Sequence, residues 1–233
     1  MNLIISGAPG AGKGTQAQSL REYWNIPYIS SGNMIREAIS VSIKAGFETG
    51  IIAKTYINSE KSIPREIVKK MLKEIGWEGS FKNRILLTDQ NKGFILDGQK
   101  TVKDAEYMRS LLESINVNID VIINILVPYE VLVSRLSNRR ICSSFECNSV
   151  YSLQFKPPVK KDVCDYCGSF LLLRGDDELG NVCKRLDSYE ENAIQIYKSK
   201  HFYCIDGDKP ADLLQADIVT IVENSIAFPM RTL

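Results

Sequence analysis

Short apolar runs alternate along the chain with longer stretches in which apolar residues recur at helical spacing. Five short runs predict buried strands, at residues 3–5, 27–29, 94–96, 121–127 and 202–205. Four longer stretches predict helices, at residues 15–24, 64–75, 128–137 and 178–200. Strands separated by helices predict an α/β fold with a doubly wound parallel sheet. Such sheets bind ligands beyond the carboxyl ends of their strands, so we expect chemistry just after Ser6, Ile29, Leu96 and Val127.

A glycine-rich segment joins the first predicted strand to the first predicted helix. Residues 7–15 read Gly-Ala-Pro-Gly-Ala-Gly-Lys-Gly-Thr. Glycines let backbone N–H groups approach phosphate oxygens, and the start of a helix adds partial positive charge. Lys13 can reach the β- and γ-phosphates of a nucleotide. The general P-loop pattern has Ser or Thr directly after the lysine, whereas this chain has Gly14 followed by Thr15.

Residues 141–173 interrupt the alternation with paired prolines and paired cysteines, which indicates a small β-structure around a cross-link. Two cysteine pairs at this spacing predict a structural Zn²⁺ site with four thiolates. Its ligands would be Cys142, Cys147, Cys164 and Cys167. The alternatives are four unrelated buried cysteines or a redox pair.

Composition narrows the classes of function. The chain has 233 residues, 44% hydrophobic and 24% charged, with a net charge of +1. This balance offers no bulk attraction to nucleic acid or to membranes, so we expect neither as a partner. No apolar run approaches the ~20 residues of a membrane span, and no targeting signal is evident, so we expect a cytoplasmic protein.

The glycine-rich segment, with Gly-Thr after the lysine, resembles the P-loop of adenylate kinases. Later motifs follow that family's order as far as about residue 225. The resemblance implies a P-loop NTPase fold with a five-stranded parallel sheet. It implies a core of residues 1–29, 64–137 and 178–233, a monophosphate-binding lobe of residues 30–63 and a zinc lid of residues 138–177. It also implies a monomer that binds ATP and AMP and catalyses the reversible reaction ATP + AMP = 2 ADP with Mg²⁺.

The resemblance assigns one group of residues to ATP and to catalysis. Arg135 and Arg139 lie four residues apart, and we expect them on one face of a helix. Arg135 would pack on the ATP adenine, and Asp97 would contact Mg²⁺-bound waters. The ATP-binding residues would be Gly10, Ala11, Gly12, Lys13, Gly14, Thr15, Arg135, Arg139 and Lys209. The catalytic residues would be Lys13, Asp97, Arg139, Arg174 and Arg185.

A second group is assigned to AMP, and here the chain departs from the family. The AMP-binding residues would be Ser31, Arg36, Ile63, Gly98, Lys100, Asp104, Arg174 and Arg185. Ser31 is also a good candidate for a helix N-cap. Where the family has an arginine and a glutamine, this chain has Lys100 and Asp104. Lysine lacks the bidentate fork of arginine, and aspartate only accepts hydrogen bonds.

These departures keep alternative functions open. Guanine offers two donors to a carboxylate at Asp104, so the acceptor could be a different nucleoside monophosphate. The chain could also be a nucleotide-binding relative with weakened catalysis. A zinc-ribbon nucleic-acid binder is a further alternative, which the balanced charge opposes.

Overall fold

The computed structural model describes residues 1–59, 63–88, 92–98, 101–144, 147, 149–174, 177–189, 195, 197, 199 and 201–227. The chain divides into two compact units. Unit 1 comprises Met1–Met34, Gly79–Pro128 and Ser188–Leu233, and unit 2 comprises Ile35–Glu78 and Tyr129–Asp187. The division into core, lobe and lid that the resemblance implies stays a prediction.

Unit 1 is built on a parallel sheet. Its strands are β1 (Asn2–Gly7), β2 (Tyr28–Ser30), β3 (Phe94–Asp97), β4 (Val121–Leu126) and β8 (His201–Asp206). They lie in the order β2-β3-β1-β4-β8, and every pairing is parallel. The predicted five-stranded parallel sheet is therefore confirmed, with all five strands where the apolar runs placed them.

Hydrophobic burial explains why these runs form the centre of unit 1. Leu3, Ile4 and Ile5 of β1 and Ile122 and Ile123 of β4 have no exposed surface. Strands covered on both faces need continuous apolar runs, which is how these segments read. Among its described residues, the helices of this unit are α1 (Lys13–Trp24), α5 (Ser80–Leu86), α6 (Val102–Ser114) and α9 (Ala211–Ala227), together with the first residues of α2 (Ser31–Lys44).

The first part of unit 2 is helical. The rest of α2, α3 (Glu48–Asn58) and α4 (Arg65–Glu74) enclose a small core of Ala38, Ile39, Ala53 and Met71. Gly50 permits a close approach within it, since a Cβ at this position would lie 2.7 Å from the Ser42 hydroxyl.

The second part of unit 2 contains a small antiparallel sheet. Its strands are β5 (Arg139–Cys142), β6 (Val150–Ser152) and β7 (Leu171–Leu172), in the order β6-β5-β7. Helices α7 (Tyr129–Ser137) and α8 (Leu179–Asp187) lie on either side of it along the chain. The prediction of a small β-structure in residues 141–173 is confirmed.

The helix predicted over residues 128–137 is confirmed as α7, but two other helix expectations differ from the structure. Arg139 does not share a helix with Arg135, because α7 ends at Ser137 and Arg139 opens β5. The Ser134 carbonyl accepts both the backbone N–H of Asn138 at 3.1 Å and its side-chain amide at 2.9 Å. The next residue, Arg139, pairs with Ser152 in the small sheet, so the chain leaves the helix there.

The helix predicted over residues 178–200 also ends early. It corresponds to α8, which stops at Asp187, and Ser188 and Tyr189 are not helical. Most of residues 190–200 lie outside the described part of the chain. Among the described residues, no helix combines the length and apolar content needed to cross a membrane.

Candidate functional site

The loop between β1 and α1 has the backbone of a phosphate cradle. Gly10 and Gly12 take φ angles of 87° and 96°, in the left-handed region that favours glycine. Gly7 has a φ of 142°, and a Cβ there would lie 2.6 Å from the Ile125 carbonyl oxygen of the neighbouring strand. Only glycine lets the loop leave the sheet this closely, so the run of glycines has a steric reason.

Lys13 is the first residue of α1, and its ammonium group is held by the loop itself. Its Nζ donates to the carbonyls of Gly7 at 2.7 Å and Ala8 at 2.9 Å. The first turn of α1, which includes Gly14 and Thr15, contains no acidic residue. The loop thus combines a lysine cation with a helix N-terminus, an arrangement that favours an anion.

A buried carboxylate lies at the end of the adjacent strand. Asp97 closes β3 and is 6% exposed. The Tyr28 hydroxyl donates to Asp97 Oδ2 at 2.8 Å. Because β1 and β3 are parallel neighbours, Asp97 lies at the same edge of the sheet as the loop. Carboxylate oxygens suit the water shell of Mg²⁺, so this residue fits the predicted contact with Mg·ATP.

The start of α2 differs from the expectation for Ser31. The hydroxyl that accepts a backbone N–H there belongs to Ser30, which receives a bond from Asn33 at 3.4 Å. Ser31 is already helical, and its hydroxyl donates to the Asp97 carbonyl at 3.4 Å. Gly98 has a φ of 105°, and a Cβ there would overlap the Ser31 hydroxyl. The predicted N-cap at Ser31 is therefore replaced by Ser30.

Asp104 has a structural role at the start of α6. It forms a capping box with Thr101, in which each side chain accepts the other residue's backbone N–H at 3.2 Å. Lys100 lies outside the described residues. Ile63 is half-buried against the small core of unit 2, and Arg36 is half-buried on α2.

One carboxylate in unit 2 joins two arginines from different elements. Arg139 on β5 binds Asp177 with two hydrogen bonds of 2.6 Å, from Nε to Oδ2 and from Nη2 to Oδ1. Arg185 on α8 donates from Nη1 to Oδ1 at 2.7 Å. Asp177 is 1% exposed and Arg185 is 6% exposed. Two guanidinium groups against one carboxylate leave the cluster with a net positive charge, which suits phosphate.

The structure also describes three other predicted cations. Arg135 lies in the last turn of α7 and is half-buried. Arg174 is half-buried, and its carbonyl accepts the backbone N–H of Asp177 at 2.9 Å. Lys209 forms an exposed ion pair of 2.7 Å with Asp217 on α9, which raises the lysine's pKa.

Four cysteine sulfurs lie together at the base of the small sheet. The Sγ atoms of Cys142, Cys147, Cys164 and Cys167 all lie within 4.8 Å of one another. Tetrahedral Zn–S bonds of ~2.3 Å require S···S distances of about 3.8 Å, so the group has the size of a four-thiolate zinc site. The Tyr151 hydroxyl contacts Cys164 Sγ at 3.5 Å and accepts the backbone N–H of Asp165 at 2.8 Å.

The surroundings of two cysteines shift their pKa values in opposite directions. Burial raises the pKa of the Cys142 thiol to about 12, with help from a hydrogen bond to Cys167. Burial also raises the pKa of Cys164, but the Tyr151 hydroxyl and nearby backbone N–H groups outweigh it and bring that pKa to about 6. These donors stabilise a thiolate at Cys164, the form that binds metal.

Tyr28 is a site neighbour that the sequence analysis missed. Its only signal was its place in the second predicted strand, two residues before Ser30. The structure also shows that a single carboxylate, that of Asp177, holds both Arg139 and Arg185.

The parallel sheet and the glycine loop with its lysine define a P-loop nucleotide-binding protein. The family model for adenylate kinase matches residues 5–202. The chain is 38% identical over 227 residues to an adenylate kinase of Methanosarcina acetivorans, covering 95% of this chain and 98% of that one. It is 39% identical to an adenylate kinase of Archaeoglobus fulgidus, with 96% and 98% covered, and 38% identical to one of Geobacillus sp., with 94% and 96% covered. The chain belongs to the adenylate kinase family.

Proposed function

We propose that this chain transfers a phosphoryl group reversibly between Mg·ATP and AMP, forming two molecules of ADP. The observation that carries the proposal is the loop of residues 7–12, with Lys13 held by its carbonyls and Asp97 at the same sheet edge. Phosphoryl transfer needs positive charge and aligned groups rather than a covalent protein intermediate. Family membership supports the same reaction.

The donor nucleotide is bound by the loop and by arginines. Backbone N–H groups of residues 10–15 hold the β- and γ-phosphates of ATP, and Lys13 neutralises the charge that develops as the bond to the γ-phosphate breaks. Hydrogen bonds to Asp177 hold Arg139 and Arg185, so both guanidinium groups are oriented before a nucleotide binds. Arg174 adds a further cation, and Arg135 packs on the adenine.

The acceptor nucleotide is bound by residues around α2 and α6. Arg36, Lys100, Arg174 and Arg185 hold the phosphate of AMP. The base is bound by Ser31, Ile63, Gly98 and Asp104. Asp104 Oδ2 accepts the Thr101 N–H in the capping box, and this local role accounts for a carboxylate at that place without a change of base. We therefore propose AMP as the acceptor.

Two metal ions accompany this function. Mg²⁺ enters with ATP, and Asp97 contacts its bound waters. Zn²⁺ is held by the four cysteines, whose soft thiolates leave no position for water, so it is structural rather than catalytic. It stabilises a sheet whose own buried core consists of Cys142, Tyr151, Cys164 and Leu171.

A coupled assay with Mg·ATP and AMP tests the reaction, with a Lys13→Ala variant as the control. We expect ADP formation by the wild type at an ordinary enzymatic turnover of ~1–10³ s⁻¹. ADP formation no faster than that of Lys13→Ala would contradict the proposal. Replacing AMP by GMP, CMP and UMP tests the acceptor, and a preference for GMP that Asp104→Gln abolishes would favour the alternative base.

The setting of the enzyme is a further part of the proposal. We propose a monomer in the cytoplasm, supported by the resemblance and by the balanced charge of +1. Light scattering coupled to size-exclusion chromatography should give one species near the chain mass of 26.2 kDa. A stable dimer would overturn the proposed oligomeric state.

A further inference from the structure

The hydrogen bond between Tyr28 and Asp97 links two strands at the edge of the P-loop. Tyr28 is opposite Ile95 in the pairing of β2 with β3, and Asp97 is two residues further along β3. Residues two apart on a strand lie on the same face. The sheet register therefore places the tyrosine beside the carboxylate, and the hydroxyl donates to Oδ2 at 2.8 Å.

The Tyr28 hydroxyl also lies beside the first turn of α1. A Cβ on Gly14 would be 3.7 Å from the Tyr28 oxygen, an ordinary van der Waals distance. The hydroxyl thus lies near both Asp97 and the helix start where the proposed function binds the phosphates of ATP. Tyr28 is half-buried and Asp97 is buried, so water competes poorly for this bond.

The physical effect of the bond is to fix the plane of the carboxylate. The terminal torsion of an aspartate has a broad energy minimum, so the carboxylate rotates easily unless a partner holds it. A phenol on a paired strand is a rigid donor, and a hydrogen bond to an ionised oxygen is stronger than a neutral one. Groups that hold a metal-site carboxylate in this way determine how well the carboxylate is oriented toward the waters bound to the metal.

We propose that Tyr28 is a positioning residue that orients the Asp97 carboxylate toward the waters around Mg²⁺ in the Mg·ATP substrate. This inference rests on the proposed function and adds a residue to its machinery. Tyr28 acts through Asp97 and does not itself touch the reacting atoms.

The test is a Tyr28→Phe variant, which removes one oxygen and keeps the ring. Isothermal titration gives the Kd of ATP in metal-free buffer and in saturating Mg²⁺. We expect the ratio of the metal-free Kd to the Kd in Mg²⁺ to fall about 10-fold. The metal-free Kd should stay unchanged, so the fall comes from weaker binding of Mg·ATP. We also expect a lower kcat and an unchanged KM for AMP.

A matched control is Tyr23→Phe, the same chemical change at an exposed tyrosine of unit 1 whose hydroxyl donates to Glu223 at 3.5 Å. It should leave the Kd ratio and kcat unchanged. If Tyr28→Phe lowers Tm while the Kd ratio stays at the wild-type value, the tyrosine is only structural and the proposal is wrong.

A double-mutant cycle shows whether the effect passes through Asp97. In an Asp97→Asn background, Tyr28→Phe should cause no further loss in the Kd ratio, because the group it orients is already changed. An equal loss in both backgrounds would overturn the inference. The titration needs no turnover, so it still tests Tyr28 if the wild type fails to make ADP, a result that would count against the proposed function alone.

Discussion

Replacing Asp177 tests how much the buried arginine cluster contributes to stability. Asp177→Asn keeps the shape of the side chain and removes its charge. Arg139 and Arg185 would then lose the carboxylate that they share, and Arg185 is only 6% exposed. We expect the variant to be strongly destabilised.

The magnitude follows from the three hydrogen bonds of 2.6, 2.6 and 2.7 Å. Each is charge-assisted, and such bonds contribute about 1.5–3 kcal/mol. The amide oxygen of asparagine can still accept up to two of them, so the loss is smaller than the sum. Breaking a buried ion pair by removing one partner typically costs about 3–5 kcal/mol. For a chain of this length that corresponds to a fall in Tm of about 6–20 °C.

The assay is differential scanning calorimetry of wild type and variants in the same Zn²⁺-containing buffer. Asp217→Asn is the matched control, because Asp217 also forms a 2.7 Å bond to a cation, Lys209, but is half exposed. Surface pairs contribute little, so its Tm should equal that of the wild type within error. Equal Tm values for Asp177→Asn and Asp217→Asn would refute the reasoning that burial sets the strength of the pair.

Three further predictions concern the zinc site, a glycine and a helix cap. Metal analysis should find one zinc per chain in the wild type and none in Cys164→Ser, and a chelator should lower the wild-type Tm. Purified wild-type protein without zinc would contradict the zinc site. Gly98→Ala should destabilise by about 1–3 kcal/mol in denaturant titration, whereas Gly180→Ala, which meets no neighbour, should be neutral or stabilising by up to ~1 kcal/mol. Thr101→Ala should cost about 1 kcal/mol in the same titration, and no loss would show that the capping box is unimportant.

Local patterns were enough to predict the parts of the fold that depend on neighbouring residues. The apolar runs at β1 and β4 identified strands buried on both faces, because such strands cannot carry polar residues. Patterns were less informative where an element is short or its ends depend on packing. Arg139 was assigned to a helix because its spacing from Arg135 is helical, but Arg139 pairs with Ser152 in the small sheet and α7 ends before it.

The sequence by itself determined the loop around Lys13, the buried strands and the grouping of four cysteines. These features depend on backbone freedom at glycine, on continuous hydrophobicity and on ligand spacing, all of which are readable within a few residues. Only the tertiary structure decided that Tyr28 meets Asp97, 69 residues away, and that one Asp177 carboxylate serves two arginines. Such contacts depend on strand register and on which side chains share a buried space, and no periodicity along the chain encodes them.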